Sequence, residues 1–147
     1  FIVSTGSKEE HRNTKYFYEI EKFISDNSLY KYYRYLGTVS FKEVLSLMYH
    51  SVAVIQPSKF EGRSSTVEQA KSMGKKIILS NIDIHKEQNP LRGKYFSPDN
   101  FIQLSNLLLQ ALNKYNYNLE KKHIKYAFDK SEENFYEYYK NYIYLIN

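Results

Sequence analysis

The sequence predicts an α/β domain built on a doubly wound parallel sheet, and three observations carry that reading. Short runs rich in branched or aromatic residues alternate with longer helical patterns. The run Val52-Ala53-Val54-Ile55 is near-continuously apolar, as a strand covered by helices on both faces must be. A length of 147 residues at 42% hydrophobic content supports one sizeable core but not two domains. The 16 Tyr and 9 Phe argue against a disordered chain, which carries few aromatics.

Strands are expected at residues 1–5, 32–36, 52–56 and 76–80, with a weaker fifth at 94–96. Between the first two, Tyr16, Phe17, Ile20, Phe23 and Ile24 recur at the spacing of an amphipathic helix. The next helix carries Phe41, Val44, Leu45 and Met48, and it opens on a capping box in which Ser40 and Glu43 satisfy each other's backbone N–H groups. Ser65 and Glu68 repeat that pattern before Val67, Ala70 and Met73, and Gly74 stands where a helix end favours a left-handed residue. Pro98 suits a first helical position, where its missing N–H costs nothing, and Phe101, Leu104, Leu107, Leu108, Ala111 and Leu112 mark the helix beyond it. A last helix is expected over 131–147. Its aromatic face of Phe135, Tyr138, Tyr139, Tyr142, Ile143 and Ile146 either packs on the rest of the chain or, left bare, drives self-association. No repeat, low-complexity tract or linker divides residues 1–147.

Composition removes several function classes. Cysteine is absent, which excludes disulfides, thiolate metal sites and Cys nucleophiles, and makes a cytoplasmic setting the expectation. No apolar run approaches the roughly 18 residues that span a bilayer, and residues 1–6 lack the charged flank of a signal peptide. A chain that opens without Met on a strand-like run reads as a piece of a longer protein. The formal charge of 21 − 16 = +5 fits either an anionic partner or a solvated basic surface. Basic residues are spread, with pairs at Lys75-Lys76 and Lys121-Lys122 but no long block, so no nucleic-acid partner is expected. His11, His50, His85 and His123 show no metal-ligand spacing, so neither metal nor cofactor is expected, and His85 reads as a hydrogen-bonded structural residue. Gly-rich dinucleotide, P-loop and nucleophile-elbow motifs are missing.

Open parallel sheets bind ligands at the carboxyl ends of their strands, where helix N-termini present unpaired N–H groups. The candidate junctions are Ser4-Thr5-Gly6-Ser7, Leu36-Gly37-Thr38-Val39, residues 57–66 and residues 80–90. The third is the densest: from Gln56 to Glu68 it holds two carboxylates, two cations and four hydroxyls. Gly62 permits close backbone approach, Ser64, Ser65 and Thr66 offer hydroxyls and N–H groups to a phosphate, and Glu61 and Glu68 can accept hydrogen bonds from sugar hydroxyls. Together these suit a nucleotide-sugar. The same residues also fit a structural arrangement, with Glu68 closing the capping box, Arg63 paired to Glu61 and Ser64 in a turn.

The ordered series Gly37-Thr38-Val39-Ser40, Ala53-Val54-Ile55-Gln56-Pro57-Ser58, Phe60-Glu61-Gly62-Arg63-Ser64-Ser65-Thr66-Val67-Glu68-Gln69-Ala70-Lys71, Gly74-Lys75-Lys76-Ile77-Ile78-Leu79-Ser80 and Ile84-His85-Lys86-Glu87-Gln88 resembles the carboxyl-terminal domain of retaining GT-B glycosyltransferases of family 4. The similarity covers about residues 1–98. It implies a Rossmann-like, nucleotide-sugar-binding domain over 1–147 that lacks its first strand-helix unit, with the acceptor-binding amino-terminal domain outside this chain. It also implies roles. Glu61 matches the first Glu of the family's Glu-x7-Glu motif, the catalytic-site carboxylate on the transferred sugar, and Glu68 matches the second, which holds the ribose. Gly62, Arg63, Ser64, Ser65 and Thr66 line the diphosphate, and Gly37, Thr38 and Val39 match the turn that meets the nucleobase. The spacing here is Glu-x6-Glu, one residue short, and the family's upstream Arg and Lys have no counterpart.

The implied activity is retaining transfer of a sugar from a nucleotide-sugar, expected to be UDP-linked, to a glycan or lipid-linked glycan in bacterial surface-polysaccharide synthesis, such as O-antigen or capsule. The setting implied is cytoplasmic or peripheral at the inner face of the membrane. This piece alone is expected to be inactive while keeping donor affinity. The alternative is a non-catalytic nucleotide- or sugar-binding module of the same fold.

Overall fold

The computed structural model describes residues 1–7 and 14–146, the side chains of 14 and 135–146 excepted. Along these residues strands and helices alternate: β1 (Ile2–Ser4), α1 (Thr14–Asp26), β2 (Tyr33–Tyr35), α2 (Phe41–His50), β3 (Val54–Gln56), α3 (Ser65–Ser72), β4 (Ile77–Ser80), α4 (Asp83–Gln88), β5 (Gly93–Phe96), α5 (Phe101–Asn113) and α6 (Tyr117–Ile146), with a 3-10 turn at Leu29–Lys31 before β2. Every pairing is parallel, so the α/β class holds. The strands form two sets, β1 with β2, and β3-β4-β5 with β4 in the middle. A single doubly wound sheet needs a further ladder to link these sets, and the described strands do not make it. The chain divides into two compact units, Phe1–Ser46 and Leu47–Asn147.

In the first unit, Ile2 pairs with Tyr33 and Ser4 with Tyr35, and the Gly6 N–H donates to the Gly37 carbonyl at 2.9 Å just beyond the strand ends. The Phe17 ring meets Tyr35 edge-on at 4.8 Å, and Ile24 is buried. The expected apolar stripe of α1 is narrower than its sequence, because Tyr16 and Phe23 are each 62% exposed. A two-stranded sheet offers one helix only a thin strip to cover. The Ser40 capping box forms as expected: the Ser40 N–H and hydroxyl donate to Glu43 Oε2 at 2.7 Å each, and the Glu43 N–H returns a bond to Ser40 Oγ at 3.3 Å.

The second unit holds the larger core. All four residues of β4 are buried, Ile78 packs with Phe96 and Ala111, and Val52, Ala53, Leu104, Leu107 and Leu108 close around them. Val67 and Ala70 bury the inner face of α3. That helix ends in a Schellman motif, with the Lys75 N–H on the Ala70 carbonyl (2.9 Å), the Gly74 N–H on the Lys71 carbonyl (3.0 Å) and Gly74 at φ +64°.

Lys75, expected on a basic surface, is instead fully buried. Its Nζ donates to the carbonyls of Tyr49 (3.1 Å) and Ser51 (2.8 Å) and lies 3.2 Å from Glu120 Oε1. Arg92 grips the same carboxylate through both Nη atoms at 3.0 and 2.8 Å and donates to the Gly74 carbonyl at 2.7 Å. Burial holds the Lys75 ammonium below its ordinary lysine value even with Glu120 beside it. Burial pushes Glu120 up, but the Arg92 hydrogen bonds and the charges of Arg92 and Lys75 outweigh it, so this carboxyl lies below its ordinary value. The cluster fastens α6 to the α3–β4 turn and the start of β5.

Three helix expectations are corrected. Pro98 is not a first helical residue: it sits in a turn closed by the Asn100 N–H on the Ser97 carbonyl (2.8 Å), and Asn100 caps α5 by accepting from the Gln103 N–H at 2.8 Å. The last helix begins at Tyr117, not 131, because Asn116 Oδ1 accepts from the Leu119 N–H (3.0 Å) and starts it early. Residues 80–90, expected as a loop, hold α4. The aromatic face formed by Phe135, Tyr138, Tyr139, Tyr142, Ile143 and Ile146 lies outside the described side chains, and His11 lies outside the described residues. Among the described residues, no helix is long and apolar enough to cross a membrane.

Candidate functional site

In the unit of residues 47–147, β3 and β4 run parallel and end together at Gln56 and Ser80, so the loops that leave them share one sheet edge. The Ser80 hydroxyl donates to the Ser58 carbonyl and ties those loops. Below them His85, fully buried, donates from Nδ1 to the Ser80 carbonyl at 2.9 Å, and its buried Nε2 meets no hydrogen-bond partner among the described residues. That placement matches its reading as a structural histidine.

Glu61 Oε1 accepts from Gln56 Nε2 and Ser58 Oγ, both at 2.7 Å, so the half-buried carboxylate is anchored by the end of β3. The same Gln56 amide donates to Ser64 Oγ at 2.9 Å. Ser64 is buried and caps α3, accepting from the Val67 N–H at 3.4 Å. The structural arrangement weighed from sequence is therefore not the one formed. The cap is Ser64 rather than Ser65, Glu68 closes no box, and Arg63 pairs with Glu68 at 3.1 Å rather than with Glu61. Gln56 and Ser58 serve Glu61, while Arg63 and Gln88 serve Glu68.

Glu68 Oε1 accepts from Gln88 Nε2 at 3.0 Å and from Arg63, while Lys71 Nζ stands 3.5 Å from Oε2. The Gln88 hydrogen bond, opposed by burial and joined by the charges of Lys71 and Arg63, holds this carboxyl below its ordinary value. Between the two carboxylates, Gly62 is exposed, and a Cβ built there meets no atom within 4 Å. Ser65 is exposed and Thr66 half-buried, and their N–H groups occupy the first helical positions, where no preceding carbonyl serves them. Lys59 pairs with Asp99 on the surface. Beside this junction, α3, the 90–92 segment and α6 line an open groove of about 380 Å³, to which Glu68, Lys71, Arg92 and His123 contribute.

Glu61, Gly62, Arg63, Ser64, Ser65, Thr66 and Glu68 thus converge on one strand-to-helix junction. Gly37, Thr38 and Val39 belong to the unit of residues 1–46, at the carboxyl end of β2, where Gly37 adopts φ +70° with open space beside its Cα. Sequence reasoning gave no role to Gln56 or Gln88, the two amides that orient the carboxylates. Uncharged side chains at the end of a strand and of a short helix carry no spacing signal of their own. Among the described residues, no three His, Asp or Glu side chains are grouped to hold a metal ion. Comparison with family models, curated proteins and solved structures finds no match to the chain.

Proposed function

We propose that this chain is the donor-binding domain of a retaining GT-B sugar transferase of family 4, and that it binds a UDP-linked sugar. The observation that carries the reading is the pair Glu61 and Glu68, each held by a side-chain amide, on the two sides of a helix N-terminus with unserved N–H groups. Carboxylates are strong acceptors for sugar hydroxyls, while a helix N-terminus and an exposed Arg suit a diphosphate. In this reading Glu61 receives a hydroxyl of the transferred sugar and Glu68 the ribose diol. The backbone of 62–66, the Arg63 guanidinium and the Ser65 and Thr66 hydroxyls take the diphosphate. The Ser64 hydroxyl, already bonded to Gln56 and Val67, contributes through its position and its backbone. As the glycosidic bond breaks, charge develops on the diphosphate, and fixed N–H dipoles aimed at it lower the barrier.

The strand pairing supports the finer fold. All ladders among the described strands are parallel, as a doubly wound sheet requires. The proposal includes a second domain that brings a glycan or lipid-linked acceptor, for surface-polysaccharide synthesis at the cytoplasmic face of a membrane. Calorimetric titration with UDP, ADP and GDP tests it. Saturable, UDP-selective binding is expected, weakened about tenfold or more by Glu68→Ala through loss of bonds to a charged acceptor. Binding of none of the three overturns it.

A further inference from the structure

We infer that Gln88 is a positioning residue for the donor site, its side-chain amide fixing the Glu68 carboxylate relative to the N-cap of α3. This deepens the donor-binding reading and rests on it. Gln88 Nε2 donates both to Glu68 Oε1 (3.0 Å) and to the Ser64 carbonyl (2.8 Å), while Gln88 Oε1 accepts from the Ser64 N–H at 3.4 Å. One planar amide thus locks the cap backbone and the carboxylate into a single unit. Its own backbone is pinned too, since Lys71 Nζ donates to the Gln88 carbonyl at 2.6 Å and the next residue, Asn89, turns the chain at φ 38°.

The other groups on Glu68 differ in kind. Gln88 is 4% exposed, whereas the side chains of Arg63 and Lys71 are 73% and 39% exposed. The Arg63 guanidinium can swing to solvent or to an anionic ligand, and the amide cannot. A neutral donor also fixes the carboxylate without cancelling its charge, so Oε2 keeps its strength as an acceptor for a hydroxyl.

The test is UDP titration of the wild type and of Gln88→Glu between pH 5 and 8, read as the ratio of their dissociation constants. The variant keeps an acceptor for the Ser64 N–H but sets a second carboxylate against Glu68. At pH 8 both are ionised and repel, and acidification that protonates one of them restores the bond. Binding is therefore expected about tenfold or more weaker at pH 8, recovering toward the wild type as pH falls. Arg63 and Lys71 on Glu68, and Lys75, Arg92, His123 and Lys130 around the adjoining groove, occur in both proteins, so only their response to the added carboxylate enters the ratio.

A ratio of one throughout, or a deficit that ignores pH, overturns the inference and leaves the donor reading intact. A wild type that binds no nucleotide overturns both. Circular dichroism monitors folding, and if Gln88→Glu unfolds at pH 8, Gln88→Met carries the comparison without a new charge. In that case Gln88→Met adds nothing to the loss already caused by Glu68→Gln if the two residues act as one, and additive losses refute it.

Discussion

Lys75 and Glu120 show how much one residue's surroundings decide. A lysine with no exposed side-chain surface keeps its charge because Glu120 and two carbonyls receive it, and Glu120 in turn is gripped by Arg92. Glu120→Ala is expected to cost about 3–5 kcal/mol in urea unfolding, since it strands a buried ammonium. The acid limb should report the same carboxylate. A folded-state value held below the ordinary one means its contribution is complete above the ordinary glutamate range and is lost as pH falls through the lower folded value. Stability measured between pH 7 and 3 should therefore fall less steeply in Glu120→Gln than in the wild type. None of this was legible in the sequence, where Lys75-Lys76 reads as a surface pair, because spacing marks charge but not burial. At the candidate site the charged and hydroxyl residues were legible from their density between β3 and α3. The partners were not: Arg63 pairs with Glu68, and Glu61 is held by the uncharged Gln56 and Ser58 side chains, which spacing does not mark.

At the scale of elements, Gly74 joins two of them. It closes α3 in a left-handed conformation, and a Cβ there would lie 2.6 Å from the His123 carbonyl oxygen and 2.8 Å from Ala127 Cβ on α6. Gly74→Ala should thus cost more than the roughly 1 kcal/mol of backbone strain alone, because α6 has to move as well. Ser40→Ala, which removes one reciprocal cap of α2, should cost about 1 kcal/mol. Urea denaturation of both variants checks the order, and equal losses would mean that α6 yields freely to the added methyl. Helix ends with a local chemical signature, the Ser40 box and the Gly74 stop, were readable ahead of the structure, as were the five strands to within a residue or two. Pro98 and the start of α6 were not, because each competes with an Asn cap. Asn100 and Asn116 offer the first turns an acceptor, and that bond rather than the apolar pattern fixes where the helices begin.

At the scale of the whole molecule, the two units differ in how much apolar surface they withdraw from water. Among the described residues of 1–46, Ile24 is the buried hydrophobic, and Tyr16, Tyr18, Phe23, Tyr30 and Phe41 all stay largely exposed. Residues 47–147 bury Val67, Ala70, Ile77, Ile78 and Leu79 completely around a central strand. A two-stranded sheet under one helix has little to set against the entropy of ordering the chain, so local opening should be easy there. Hydrogen exchange read by mass spectrometry is expected to show the amides of β1 and β2 exchanging about a hundredfold or more faster than those of β4, a difference of a few kcal/mol in opening free energy. If the junction at 61–68 binds the donor, UDP should slow exchange there, because a ligand that binds only the closed form stabilises it by mass action. Exchange at 61–68 that UDP leaves unchanged would remove that junction from the proposed site.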